Sequence, residues 1–328
     1  MDITRRRLLA TAAAATAAAT PLAGLAQAGA SAWPQKPVHV IVPNVPGGGI
    51  DILARLMQGE LQKMWGQQVL VEYKPGGGTM LGTDYVAKSV PDGYTLGMVV
   101  TSHVINPALR KGMPFDTLKD LAGVTLTATS SILMSASPKA PFSTLKELID
   151  YAKAHPGKLN YATPGPGSAM HLGGELLKQQ TGIDMQHVPY KGSGGAYADV
   201  SDGRVDLLID PLFSSMPHVT SGRLKPIAVL SAKRDATAPD IPAFGEVLPG
   251  FNVLSINGIV APAATPRPLI QKIGADFAKA LHSEDLKARL KAVGLEPVGS
   301  TPEEFDRFVR EEMKRWEAVV RKGNITID

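Results

Sequence analysis

There is no cysteine among the 328 residues. With no disulfide available, a chain of this size must rest on its hydrophobic core. Beyond residue 32, no stretch reaches the ~18 consecutive apolar residues of a membrane-spanning helix. Neither sign of charge dominates. The chain carries +4 overall, and residues 1–32 hold Asp2 against three arginines, which leaves +2 for the rest. No basic run is interleaved with aromatics, so nucleic acid is excluded as a partner.

The motifs of several chemistries are missing as well. Gly47-Gly48-Gly49-Ile50-Asp51-Ile52 does not supply the G-x-G-x-x-G of a dinucleotide site, and no glycine loop ends in the Gly-Lys-Ser/Thr of a P-loop. Gly165-Pro166-Gly167-Ser168 is not the G-x-S-x-G elbow of an α/β-hydrolase. The seven histidines include no H-E-x-x-H and no i, i+4 pair, so no metal set is expected. Ser143-Thr144-Leu145-Lys146 matches S-x-x-K, but it sits in a helix-start signal that already accounts for the Ser and Thr. No cofactor is expected.

The first 32 residues are expected to be a leader. Thr4 to Leu9 contains the three adjacent arginines, Ala10 to Leu25 is small and mildly apolar, and Ala26-Gln27-Ala28 and Ala30-Ser31-Ala32 are A-x-A cleavage candidates. The arginines and the weak hydrophobicity favour the twin-arginine export route, with cleavage near residue 28 or 32. The segment is too rich in Ala and Thr for a stable span. The remaining residues are enough for two domains.

After the leader, strand and helix patterns alternate, which predicts an α/β fold with mostly parallel sheets. Val38–Val42 is an apolar strand, followed by a helix from about Asp51 to Trp65. Ala122–Ala128 and Ile132–Ser137 are two apolar runs. Thr144 with Glu147 is a capping box for a helix over Leu145–His155. Leu159–Ala162 is a strand, followed by a helix from Met170. The tail reads as two helices, Pro266–Leu281 and Pro302–Val320, the second opened by a Thr301–Glu304 capping box.

One unit occurs twice: strand, glycine-rich turn, helix start. Its first copy is Val42-Pro43-Asn44-Val45-Pro46-Gly47-Gly48-Gly49-Ile50-Asp51, and its second is Ala162-Thr163-Pro164-Gly165-Pro166-Gly167-Ser168-Ala169-Met170-His171. This geometry aims unpaired backbone N–H groups and the positive end of a helix dipole at an anion. Prolines have no N–H to wrap a triphosphate, but enough donors remain for a carboxylate. The two loops are expected to close on one small carboxylate. A pair of plain tight turns is the bland alternative. His171 fits either anion binding or a structural hydrogen bond, and Asp51 and Asp210 follow strand ends, where they fit helix caps.

The ordered set of motifs resembles one family. Trp33-Pro34, Val42-Pro43, Gly47-Gly48-Gly49-Ile50-Asp51, Pro75-Gly76-Gly77-Gly78, Pro91-Asp92-Gly93-Tyr94-Thr95-Leu96, Ile105-Asn106-Pro107, His155 to Tyr161, His187 to Gly192, Ala261-Pro262, Glu296 to Gly299 and Thr301 to Phe305 are similar to the Bug-type extracytoplasmic receptors of tripartite tricarboxylate transporters. The resemblance covers essentially all of residues 33–328. It implies a type II periplasmic-binding-protein fold: two doubly wound α/β lobes joined by two crossover strands, near Thr127–Ile132 and Leu254–Ile259. Residues 33–128 with 259–328 would form lobe 1, and 129–258 lobe 2. It also implies a periplasmic, monomeric, non-enzymatic receptor that passes a small organic carboxylate to integral membrane transporter subunits.

The site expected from loops and resemblance together comprises Val45, Pro46, Gly48, Gly49, Ile50 and Asp51 in one jaw. Thr163, Gly167, Ser168, Ala169 and His171 form the other, with Ser102, Tyr190 and Asp210 beside them. Ile50, Pro166, Ala169-Met170 and Ile256-Asn257 stand where relatives usually carry hydroxyls, Asn or aromatics. These departures point to a ligand with a hydrophobic body rather than citrate. Two other functions fit the same residues: a sensory protein for a two-component system, or a hydrolase using Ser168 and His171 with Asp210 as third member.

Overall fold

A computed structural model describes residues 33–47, 49–190 and 192–327. The expected leader and Gly48 lie outside the described residues. Among the described residues ten strands form one sheet: eight follow the path β2-β1-β3-β9-β4-β7-β5-β6, and β8 and β10 pair with β4 off that path. In the first lobe β1 (Val38–Val42) lies parallel to both β2 (Val69–Tyr73) and β3 (Thr95–Val100). In the second, β5 (Leu159–Thr163) lies parallel to β6 (Met185–Pro189) and β7 (Leu207–Pro211).

The expectation of mostly parallel sheets needs correcting, because the strands that join the lobes run against their neighbours. The two apolar runs around 122–137 are one 16-residue strand, β4 (Leu121–Ala136). Its Leu121–Ser131 portion pairs antiparallel with β9 (Leu254–Pro262), and Ile132–Ala136 pairs antiparallel with β7 and β8 (Lys225–Val229). β9 also pairs antiparallel with β3. Thr129-Ser130-Ser131 interrupts the apolar pattern but not the ladder, since the backbone supplies the hydrogen bonds whatever the side chain.

Helices cover the faces. α1 (Gly49–Trp65) turns Ile50, Leu53, Ala54, Met57 and Leu61 inward, an i, i+3, i+4, i+7, i+11 stripe. α2 (Met80–Ala87) leads to β3, and α3 (Ser102–Leu109) follows β3 with Pro107 inside it. α4 (Leu145–Ala154) has the expected capping box. α5 (Ala169–Thr181) follows β5, α6 (Gly194–Ser201) precedes β7, and α7 (Leu212–Thr220) follows it. After the short α8 (Phe244–Val247) and β9 come three tail helices rather than two: α9 (Arg267–Leu281), α10 (Glu284–Ala292) and α11 (Pro302–Gly323). In α10 only Leu286 and Leu290 are buried, so its sequence stripe is too thin to stand out. β10 (Glu296–Pro297), between α10 and α11 in the chain, pairs antiparallel with β4.

α11 ties the molecule together. It packs against β4, α3 and α5 at once, and Gln179 Nε2 donates to Val319 O at 2.8 Å. Phe305, fully buried, lies over Gly258 of β9, where an added Cβ would come within 2.2 Å of the ring. Among the described residues, no helix is long and apolar enough to cross a membrane.

Candidate ligand-binding cleft between the lobes

A cleft of about 330 Å³ opens between the lobes beside the long strands. One wall comes from the first lobe: Asn44 after β1, Gly78 and Thr79 before α2, and Thr101, Ser102, Asn106 and Arg110 on and around α3. The opposite wall is the β5–α5 loop, Pro164 to Met170, with Ser255 of β9 at the side. Ser102, Asn106 and Arg110 stand at i, i+4 and i+8, one face of a helical path. The other side of α3 is apolar and buried, with Val104, Ile105 and a buried His103 whose pKa burial pushes down to about 4. The polar face is internally braced. Thr79 Oγ1 and Ser102 Oγ are 2.8 Å apart, and Asn106 Nδ2 donates to Gly78 O at 2.9 Å. Arg110 Nε donates to Asn106 Oδ1 at 3.3 Å.

The second-lobe wall is a helix start. Ser168 is the N-cap of α5: its Oγ accepts from His171 N at 3.2 Å and donates to Gly165 O at 2.8 Å. The amides of Ala169 and Met170, one and two places further on, have no intrahelical acceptor, and both residues line the cleft. A carboxylate placed there meets two N–H donors and the positive end of the helix dipole. Ser168→Ala is expected to lower stability by about 1 kcal/mol, the usual cost of a lost N-cap. Urea denaturation reads this directly, and an unchanged midpoint would mean the cap contributes nothing.

His171 works from behind this wall. It is 5% exposed, its Nδ1 accepts from Gly167 N at 3.2 Å, and its ring stacks on His187 at 4.0 Å. Burial, with Lys178 adding to it, pushes its pKa down to about 4. A neutral ring that accepts at Nδ1 carries its proton on Nε2. His171 thus shapes the loop and supplies no positive charge at neutral pH. Thr163, fully buried, contacts His187 Nε2 through Oγ1 at 2.7 Å.

The first glycine loop differs from its expected role. Val45 and Pro46 are exposed and do not line the cleft. Gly49 abuts Phe213 of α7, whose ring would lie 3.0 Å from an added Cβ. Ile50 is in the lobe core with Val42, Leu53 and Met57. Asp51 is buried and turned inward, accepting from Gly47 N (2.8 Å), Arg55 Nε (2.8 Å) and Tyr73 OH (2.5 Å). The Gly167 amide, expected to face an anion, is spent on His171, and the Gly47 amide of the first loop is spent on Asp51.

Tyr190 and Asp210 also lie off the cleft. Tyr190 OH donates to Asp199, and Asp210 is held by Ser193 and Tyr197 with its carboxyl pushed up to about 6 by burial. Of the expected site residues, Ser102, Gly167, Ser168 and Ala169 come together around the cleft. The case for a hydrophobic ligand weakens accordingly. Ile50 and Ile256 are core residues, and Asn257 is buried. The lining itself carries hydroxyls, amides and a guanidinium.

Residues 53–325 match the family model described as tripartite tricarboxylate transporter family receptor. The chain belongs to that family. BugT of Bordetella pertussis is 34% identical over 296 residues, which cover 89% of this chain and 91% of BugT. The solved structure of R. palustris Rpa4515 with adipate has a TM-score of 0.81 at 33% identity, covering 90% of this chain and 99% of that one. MatC (Rpa3494) from Rhodopseudomonas palustris with bound malate has a TM-score of 0.76 at 33% identity, covering 88% of this chain and 100% of that one. The two-lobe α/β fold is therefore that of the family's periplasmic solute-binding receptors.

These relatives are binding receptors and not enzymes, and the geometry of this receptor agrees. Ser168 Oγ points its proton at a carbonyl, His171 Nδ1 accepts from a backbone amide, and Asp210 is engaged with Ser193 and Tyr197. Among the described residues no base is hydrogen-bonded to the hydroxyl, which nucleophilic catalysis needs. Asn44, Gly78, Thr79, Thr101, Asn106, Arg110 and Ser255 were not among the expected site residues. The spacing of Ser102, Asn106 and Arg110 was the available signal, masked by Pro107, which argues against a helix.

Proposed function

We propose that this receptor captures a small organic carboxylate in the interlobe cleft and delivers it to integral membrane subunits of a tripartite tricarboxylate-type transporter. The observation that carries the reading is the free first turn of α5 facing a polar wall of the other lobe across one cleft. The adipate and malate in two solved neighbours at 33% identity support the ligand class. In this reading residues 33–128 with 259–328 move against 129–258, and β4 and β9 carry the hinge. A ligand favours the closed state only by touching both lobes, and a carboxylate on α5 that reaches α3 does so. Residues 1–32 serve as a twin-arginine leader, cleaved near residue 28 or 32, that brings a monomer to the periplasm.

The test is a thermal-shift screen of the purified protein against mono-, di- and tricarboxylates. A ligand at 100 times its Kd is expected to add about 2.7 kcal/mol of stability. If no carboxylate raises the melting temperature at millimolar concentration, the reading fails.

A further inference from the structure

We infer that Arg110 is the residue that selects the ligand, and that the ligand is a dianion with one carboxylate on the α5 helix start and the second on the Arg110 guanidinium. The inference rests on the carboxylate reading above and deepens it.

Among the described residues that line the cleft, Arg110 is the one charged side chain. It is half-buried and makes no ion pair among the described residues. Its placement is built rather than incidental. Gly78 has φ +63, and a Cβ there would fall 2.7 Å from Arg110 Nη2, so the guanidinium occupies space that only a glycine leaves open. Asn106 braces both sides, donating to Gly78 O and accepting from Arg110 Nε. One of the five guanidinium N–H groups is spent on Asn106, which leaves a fork for a carboxylate.

The charge argument separates three ligand classes. A monoanion seated on α5 would leave Arg110 half-buried and unpaired when the lobes close, which costs desolvation with no return. A dianion satisfies both ends, and the arginine fork matches a carboxylate in two parallel bonds. A tricarboxylate brings a third charge for which the described lining holds no second cation, so its desolvation is uncompensated. Hydroxyls of Thr79, Ser168 and Ser255 remain for the middle of the ligand. A short dicarboxylate, not a fatty or aromatic monoacid and not citrate, is what this lining recognises.

The experiment is calorimetric titration of the purified protein with succinate, glutarate, adipate and pimelate, the monoamide of each, and citrate. At least one diacid is expected to bind about tenfold or more tighter than its own monoamide and than citrate, the factor a charge-assisted pair supplies. Arg110→Gln should bring diacid and monoamide within about threefold of each other, and Arg110→Lys should restore part of the gap. A monoamide that binds the unaltered protein as well as its diacid, or a diacid preference that survives Arg110→Gln, overturns the inference and leaves the carboxylate reading standing. Failure of every carboxylate to bind overturns both. If Arg110→Gln does not fold, the diacid and monoamide affinities of the unaltered protein decide alone.

Discussion

Gly167→Val is expected to leave the unliganded protein folded while weakening carboxylate binding by about 100-fold or more, equivalent to ~2.7 kcal/mol. Gly167 has φ +74, a left-handed conformation that a β-branched residue adopts only with strain of roughly 1–3 kcal/mol. Space is a lesser obstacle: an added Cβ would meet Leu109 Cδ1 at 3.3 Å and Ile327 Cδ1 at 3.7 Å. The loop can relieve the strain by moving, because much of its outer surface is only half-buried. Any such movement breaks the Gly167 N–H to His171 bond and shifts Ser168, Ala169 and Met170, the cap and the two free amides of α5. The added methyls also meet Leu109 of α3 across the cleft, which opposes closure of one lobe on the other. Melting of the unliganded variant should fall by only a few degrees, whereas the carboxylate-induced shift should vanish. A shift of normal size would mean that the ligand does not sit at the start of α5. Gly167→Ala, with less bulk and the same sign of φ strain, should fall between the two.

What the sequence made legible follows where local chemistry and tertiary context agree. The capping boxes at Thr144–Glu147 and Thr301–Glu304 form as expected, because a cap is decided within four residues. The strand–loop–helix unit at β5–α5 is also as expected, and its N-cap Ser168 sits where the anion-site geometry required. The first loop shows the opposite case. Its glycines gave the same local signal, yet Asp51, four residues on, folds back onto Gly47 N–H and uses the donor internally. A side chain that reaches back this way competes with the ligand for the same amide, and spacing alone does not say which wins. For Ile50 the information was present: its spacing to Leu53, Met57 and Leu61 is that of a core stripe. Arg110 was obscured for a different reason. The helix that places it contains Pro107, and the guanidinium is brought into the cleft by Gly78, distant in sequence.

Asp51→Ala is expected to destabilise the protein by about 1–2 kcal/mol near neutral pH, and the difference should shrink in acid. Asp51 is 5% exposed and accepts from three groups that can all act as donors: the Gly47 amide, the Arg55 guanidinium and the Tyr73 hydroxyl. Gly47 and Arg55 are exposed and Tyr73 is half-buried, so water takes over part of the lost bonding, which limits the size of the loss. Burial pushes the Asp51 carboxyl up, but the bonds from Tyr73, Gly47 and Arg55 outweigh it and hold the pKa below the ordinary 3.8. A carboxylate whose folded pKa is depressed contributes stability above its unfolded pKa and loses that contribution as pH falls through the folded value. The gap between the parent and Asp51→Ala should therefore be constant from neutral pH down to about pH 5 and close progressively below about pH 4. Urea denaturation at a series of pH values measures it. A gap that persists undiminished to pH 2 would show that packing, not the charged hydrogen bonds, holds this corner. The same variant links stability to function, since Asp51 holds the turn that carries Asn44 to the cleft. Carboxylate affinity should fall in Asp51→Ala, but by less than in Gly167→Val, because the α5 amides remain in place.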